Sequence, residues 1–233
     1  MTATLSFEPT VAKQHRQIDV SRWDEVYVVG DVHGCAETLE RLLDRLDNGR
    51  SLFVFVGDLV RKGPDSRRAL SLVRERDNLL SVRGNNEQKL LDGRASLDAL
   101  DDDDLAFVES MPLVVSWDGA LVVHGGIDHR KPLAEHSAEE LLNNRSLVPD
   151  GGYDRPYWFE TRDGGRTVFF GHTVLAQPFA TPWAVGLDTG CVYGGQLTAY
   201  RCSTGEFVSV EPPETYVERS ADSIVDPRPM VEE

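Results

Sequence analysis

Three short apolar runs rich in β-branched residues, 26–29, 52–56 and 79–82, each stop at a glycine or at an Arg-Gly pair. Such runs predict buried strands. Between them the apolar positions recur at helical spacing. Residues 37–46 place Leu39, Leu42, Leu43 and Leu46 on one face, and residues 66–76 follow a Pro64-Asp65 start signal. The alternation of strand and helix predicts a parallel βαβαβ beginning with right-handed crossovers. The second half changes character. Runs 113–117 and 120–124 flank Asp118-Gly119, a hairpin signal, and further strands are expected at 168–170, 183–187 and 197–201. A short helix fits 137–143, and Gly151-Gly152 and Gly164-Gly165 mark loops. Residues 1–20 read as an N-terminal extension, 21–211 as one domain, and 212–233 as a tail, both ends being extended or partly disordered because they are polar or proline-bearing.

With 233 residues, 40% of them hydrophobic, the chain can bury a substantial core. No apolar run approaches the ~20 residues of a membrane helix, and residues 1–20 lack the apolar stretch of a signal peptide. The three cysteines are odd in number and lack close metal-type spacing, which fits a reducing cytoplasm. A net charge of −15 excludes a broad nucleic-acid surface, since phosphate contacts need clustered cations. Scarce lysine and acidic runs such as 101–104 suggest a salt-adapted protein.

Candidate chemistry gathers where the strands end. Gly30-Asp31-Val32-His33-Gly34, Gly57-Asp58, Gly84-Asn85-Asn86-Glu87, His124-Gly125-Gly126 and Gly171-His172-Thr173 each set a metal-capable side chain beside glycine. Singly, an Asp there reads as a helix cap and a His as a packed or surface residue. Together they place oxygen and nitrogen ligands at the strand edge where open α/β sheets bind ligands, with glycines that let the backbone approach an ion or phosphate.

In this order the motifs resemble the signature of the calcineurin-like metallophosphoesterases, from about residue 25 to 200. The segments Gly57-Asp58-Leu59-Val60 with Gly63-Pro64-Asp65-Ser66, and Leu187-Asp188-Thr189-Gly190 with Tyr193-Gly194-Gly195-Gln196-Leu197, are similar to one branch in particular. That branch holds the bacterial-type serine/threonine phosphoprotein phosphatases and the symmetrical diadenosine tetraphosphate hydrolases. The resemblance implies a four-layer α/β/β/α sandwich with two mixed sheets. It also implies two divalent metal ions, manganese foremost, with iron, zinc, nickel or cobalt as options. Asp31 and His33 would hold the first ion, Asp58 would bridge both, and Asn85, His124 and His172 would hold the second. Ions ~4 Å apart clamp a phosphate and lower the pKa of a bridging water, so the reaction implied is direct attack of a metal-bridging hydroxide. The substrate would be a phosphate ester or anhydride, carried on a phosphorylated protein or a nucleotide polyphosphate. Arg83 would clamp phosphate oxygens, and Lys62 falls where the family has a second arginine.

Two positions depart from the family pattern. The family's general-acid histidine is replaced by Asn86, and the aspartate that orients it by Arg61. An amide has no useful proton to give near neutral pH, and general acid catalysis is worth about 10²–10⁴ in rate. Three consequences compete: a substrate whose leaving group needs little protonation, another proton source such as His129, or a weak or inactive relative that binds metal and phosphate as a regulator. Tyr153, Tyr157, Trp158 and Phe159 are either local core or a base-stacking wall. Oligomeric state is not legible.

Overall fold

The computed structural model describes residues 5–228. In chain order its strands are β1 (His15–Gln17), β2 (Glu25–Val29), β3 (Ser51–Phe55), β4 (Leu79–Ser81), β5 (Val114–Trp117), β6 (Ala120–Val122), β7 (Thr167–Phe170), β8 (Phe179–Ala180), β9 (Ala184–Gly186), β10 (Leu197–Arg201) and β11 (Glu206–Val210). The α-helices are α1 (Pro9–Ala12), α2 (Ala36–Leu46), α3 (Ser66–Arg74), α4 (Asn85–Leu91), α5 (Asp102–Ser110), α6 (Ala138–Asn143) and α7 (Trp158–Thr161).

Two mixed sheets result, with strand orders β11-β10-β2-β3-β4 and β1-β5-β6-β7-β9-β8. β2, β3 and β4 run parallel, as the strand-helix alternation predicts, and β10 joins β2 antiparallel. In the other sheet β6, β7 and β9 are mutually parallel, and β5 and β6 form the hairpin at Asp118-Gly119, where Gly119 takes φ 76°.

Side-chain alternation builds the layers. Val26, Val28 and Val54 meet Val122, Phe169 and Val185 between the sheets. The opposite faces, through Tyr27, Val29, Phe53 and Phe55, pack on Leu39, Leu42 and Leu43 of α2 and Leu70 of α3. Beyond the second sheet, Val168 and Phe170 pack against Leu141 and Leu142 of α6 and Trp158 and Phe159 of α7. The result is the α/β/β/α sandwich. Its two sheets approach closely past β2 and β9, where a Cβ on Gly30 would lie 2.1 Å from the Leu187 carbonyl oxygen.

Both chain ends differ from a loose extension and tail, because each carries a few apolar anchors that find the core. Phe7 and Val11 are buried, and β1 pairs in parallel with β5. Val225 is buried too, and its N–H donates to the Val174 carbonyl at 2.8 Å. Residues 1–4 and 229–233 lie outside the described part. The acidic run also has a structural job: Asp101 caps α5 and accepts from the Asp104 N–H, while buried Asp104 holds Arg74 at 2.8 Å and Arg67 at 3.2 Å. These carboxylates at a helix N-terminus complement its dipole.

Candidate metal centre

The strand ends of both sheets converge on one cleft. Past β2 stand Asp31 and His33, past β3 Asp58, past β4 Asn85, past β6 His124 and past β7 His172. Ligand oxygens or nitrogens of Asp31, Asp58 and His124 all lie within 4.8 Å of one another. His33 Nε2 is 3.8 Å from Asp31 Oδ2 and 3.7 Å from Asp58 Oδ2, and His124 Nε2 is 3.4 Å from Asp58 Oδ1. The rings of His124 and His172 stand 5.2 Å apart. The His172 N–H donates to the Asp31 carboxylate at 3.2 Å.

Glycine makes this density sterically possible. A Cβ on Gly171 would lie 2.0 Å from Asp31 Oδ1, and one on Gly84 would lie 2.2 Å from Asp58 Oδ1. His33, Asp58 and His172 take φ of 50°, 51° and 64°, each a left-handed conformation that costs about 1–3 kcal/mol outside glycine. Asp58 is held there by Glu87, which is fully buried and accepts N–H groups from Asp58 (2.9 Å), Val60 (3.0 Å) and Gly84 (2.8 Å). Burial, with the Asp58 charge beside it, pushes the Glu87 carboxyl up to about 7.

The donor set fits divalent cations. His124 Nδ1 lies 2.8 Å from the Val56 carbonyl and His33 Nδ1 lies 3.3 Å from that of Val60. A carbonyl only accepts, so each Nδ1 carries its proton and each Nε2 faces the carboxylates. Burial raises Asp31 well above the usual carboxylate range, and the neighbouring Asp188 carboxylate adds to this. Burial opposes the charged form of His124, yet the Asp58 and Asp31 carboxylates and the Val56 carbonyl together outweigh it and raise the imidazole to about 9. The Lys62 ammonium lies 3.0 Å from His33 Nε2, so a cation already stands against that lone pair. The Asn85 amide is equally telling. With its oxygen inward it sits 3.1 Å from His124 Nε2; turned over, its nitrogen would donate to Asp58 and His124 while its oxygen accepts from Lys89 Nζ. The inward oxygen suits a protonated His124 Nε2, which donates to it, or a cation standing in that proton's place.

Around the cluster is a cleft of about 150 Å³ lined by His33, Asp58, Asn85, Asn86, His172 and Asp188, together with Lys62, Lys89, Arg145 and Arg219. A larger cavity of about 530 Å³, between the edges at β1 and β4, has no histidine in its lining and lies away from this chemistry. Arg83 is not brought to the cleft. Its guanidinium donates to the Glu109 carbonyl at 2.6 Å and the Met111 carbonyl at 3.1 Å, satisfying acceptors at the C-terminus of α5, where a cation also suits the helix dipole. His129 is absent from the lining as well. Tyr157, Trp158 and Phe159 are buried core, with Trp158 against Phe170 and its Nε1–H on the Gly125 carbonyl, whereas Tyr153 lines the cleft. Glu87, Asp188 and Tyr193 lie within motifs that assign them no role, and Arg145 and Arg219 lie in segments that carry no motif.

These features define a metal-dependent phosphoesterase, and the chain belongs to the calcineurin-like phosphoesterase family, whose model matches residues 25–176. It is a phosphohydrolase of that family. It is 31% identical to serine/threonine-protein phosphatase 1 of Salmonella typhimurium, over 80% of this chain and 96% of that protein. It is also 31% identical to the asymmetrical bis(5'-nucleosyl)-tetraphosphatase PrpE of Halalkalibacterium halodurans, over 78% of this chain and 92% of that protein. A crystal structure described as that of "a putative diadenosine tetraphosphatase" superposes with a TM-score of 0.75 at 31% identity, covering 84% of this chain and 97% of that one. No helix among the described residues is long and apolar enough to cross a membrane.

Two outcomes follow from this geometry. Glu87→Ala leaves three buried N–H groups without an acceptor, each costing about 1–3 kcal/mol, so urea denaturation should show a loss of at least ~3 kcal/mol. A loss under ~1 kcal/mol would contradict the anchoring role. In the metal-free protein His124 keeps its proton up to about pH 9, so a divalent ion must displace it to bind. Calorimetric titration with Mn²⁺ should show proton release and an affinity rising up to about tenfold per pH unit between pH 6 and 8; a pH-independent affinity would refute this.

Proposed function

We propose that the protein hydrolyses phosphoanhydrides of nucleotide polyphosphates in preference to phosphoserine, at a dinuclear centre of divalent ions, manganese foremost. Asp31 and His33 would hold one ion, Asn85, His124 and His172 the other, and Asp58 would touch both. When bound, such ions supply an activated water and neutralise charge on the phosphoryl oxygens.

The observation that carries the substrate preference is the pairing of Asn86 with Arg61. The Asn86 backbone N–H donates to Asp58 Oδ1 at 2.8 Å and its side-chain amide donates to Asp58 Oδ2. Arg61 donates to the Asn86 side-chain oxygen at 2.7 Å. The seat of the proton donor therefore holds an amide pinned on both sides, with a guanidinium behind it. Neither group can protonate a leaving alkoxide. A leaving phosphate, by contrast, departs as a stable anion, and a fixed guanidinium favours that charge. Two further cations suit the phosphoryl oxygens: Lys62 beside His33, and Arg145, whose guanidinium is held by Thr173 Oγ1 at 3.2 Å. The names of the tetraphosphatase relatives are consistent with this reading.

The test is a Mn²⁺-supplemented panel of diadenosine tetraphosphate, p-nitrophenyl phosphate and a phosphoserine peptide, run on the wild type and on Asn86→His. The wild type should turn over the tetraphosphate and the aryl phosphate well ahead of the peptide. Asn86→His should raise the peptide rate by up to about 10²-fold and the others little, since acid assistance matters for poor leaving groups. Fastest turnover of the peptide by the wild type would overturn the leaving-group account, and metal binding without turnover of any substrate would point to a regulator.

A further inference from the structure

The segment after β11 is not part of the family match, which ends at residue 176. It nevertheless crosses the mouth of the cleft. At one end the N–H groups of Tyr216 and Val217 both donate to the Val192 carbonyl at 3.1 Å, and their side chains pack on the helix-side core of the five-stranded sheet. At the other end Val225 bonds to Val174 and accepts from the Ala176 N–H, each at 2.8 Å, and is buried in the core of the six-stranded sheet. Residues 218–224 thus bridge the two halves of the sandwich over the metal-ligand cluster.

Arg219 points from this strap into the cleft. Its Nη2 donates to Tyr153 Oη at 2.6 Å, its Nε donates to the Ser223 carbonyl at 3.1 Å, and its guanidinium lies 4.6 Å from the centre of the Tyr193 ring. Lys62 shares that ring at 5.3 Å, and Arg145 lies 4.2 Å from the Tyr153 ring. Three cations, Lys62, Arg219 and Arg145, are therefore interleaved with two tyrosines along one wall. The hydrogen bonds of Arg145 and Arg219 go to neutral oxygens of Thr173, His172, Ser223 and Tyr153, and the two guanidiniums share the field of one buried carboxylate, Asp188. In a chain of net charge −15, two guanidiniums hydrogen-bonded only to neutral oxygens, with one carboxylate between them, keep donors free for a further anion at the cleft.

We infer that Arg219, carried by the C-terminal strap, is a specificity-determining residue that binds a second, non-reacting phosphate of the substrate. This rests on the polyphosphate reading above. A monoester has one phosphate, whose oxygens bound ions, Lys62 beside His33 and Arg145 beside His172 would satisfy. Lys62 touches His33 and Arg145 touches the His172 carbonyl, whereas Arg219 touches neither and is set back between Tyr193 and Tyr153, where the next phosphate of a continuing chain would meet it. The tyrosines hold the guanidinium without neutralising it, as carboxylates would.

The experiment compares wild type, Arg219→Ala and Arg219→Lys in Mn²⁺ on diadenosine tetraphosphate and p-nitrophenyl phosphate, and measures inhibition of the aryl phosphatase reaction by tripolyphosphate and by orthophosphate. In Arg219→Ala, kcat/KM for the tetraphosphate should fall at least tenfold more than for the aryl phosphate. The inhibition constant of tripolyphosphate should rise at least tenfold more than that of orthophosphate, and Arg219→Lys should recover part of each loss. Equal losses on both substrates and both inhibitors would overturn the inference and mark Arg219 as structural only. A wild type inactive on the tetraphosphate, with Arg219-dependent tripolyphosphate inhibition, would defeat the anhydride reading and leave the subsite standing.

Discussion

Three backbone N–H groups, from Asp58, Val60 and Gly84, end on the buried carboxylate of Glu87, and the geometry of the cleft depends on that anchor. Asp58 occupies a left-handed conformation no aspartate adopts cheaply. The N–H it presents to Glu87 fixes the turn, so one carboxylate oxygen faces His33 and the Asn86 amide while the other faces His124 and the Asn86 backbone N–H. Because Glu87 also holds the start of α4, it ties the loops after β3 and β4 together at the point where Asn85 and Asn86 are presented. The sandwich supplies the rest: parallel strands bring their C-terminal ends to one edge, and close approach of the sheets leaves room there only for glycine.

The same anchoring explains how a departure from the family pattern is tolerated. With Asn86 and Arg61 in place of the expected acid and its orienter, the local hydrogen bonds still close: amide to Asp58, guanidinium to amide. On the proposed reading, the chemistry on offer shifts from proton donation toward charge stabilisation. Cations contributed by unrelated segments, the loop after α6 through Arg145 and the strap through Arg219, extend the same positive character outward from the metal ligands.

Much of this was legible in the chain. Apolar runs ending in glycine located most of the strands, and the side chains that converge on the cleft could be named because they stand beside strand ends whose glycines are required by steric contact, as at Gly84 and Gly171. The missing parts have physical reasons. Arg83 shares that neighbourhood in sequence, but its guanidinium reaches the carbonyls closing α5 instead of the cleft, a choice made by tertiary packing. The run 101–104 read as surface charge, whereas Asp101 and Asp104 start a helix and hold arginines. Arg145 and Arg219 carry no periodicity and no motif, and Tyr193 opens a motif without an assigned role; they meet only because loops and strap are folded over the same edge. The two ends looked loose because anchors as sparse as Val11 and Val225 leave no pattern.

The central claim is that these strand ends assemble a two-metal centre around Asp58. Anomalous diffraction from crystals grown with Mn²⁺ tests it most directly. Two peaks about 4 Å apart, both within bonding distance of Asp58, with the Asn85 oxygen on one and Lys62 displaced from His33, are the expected result. A single peak, or ions held without Asp58 while Lys62 stays on His33, would contradict the account.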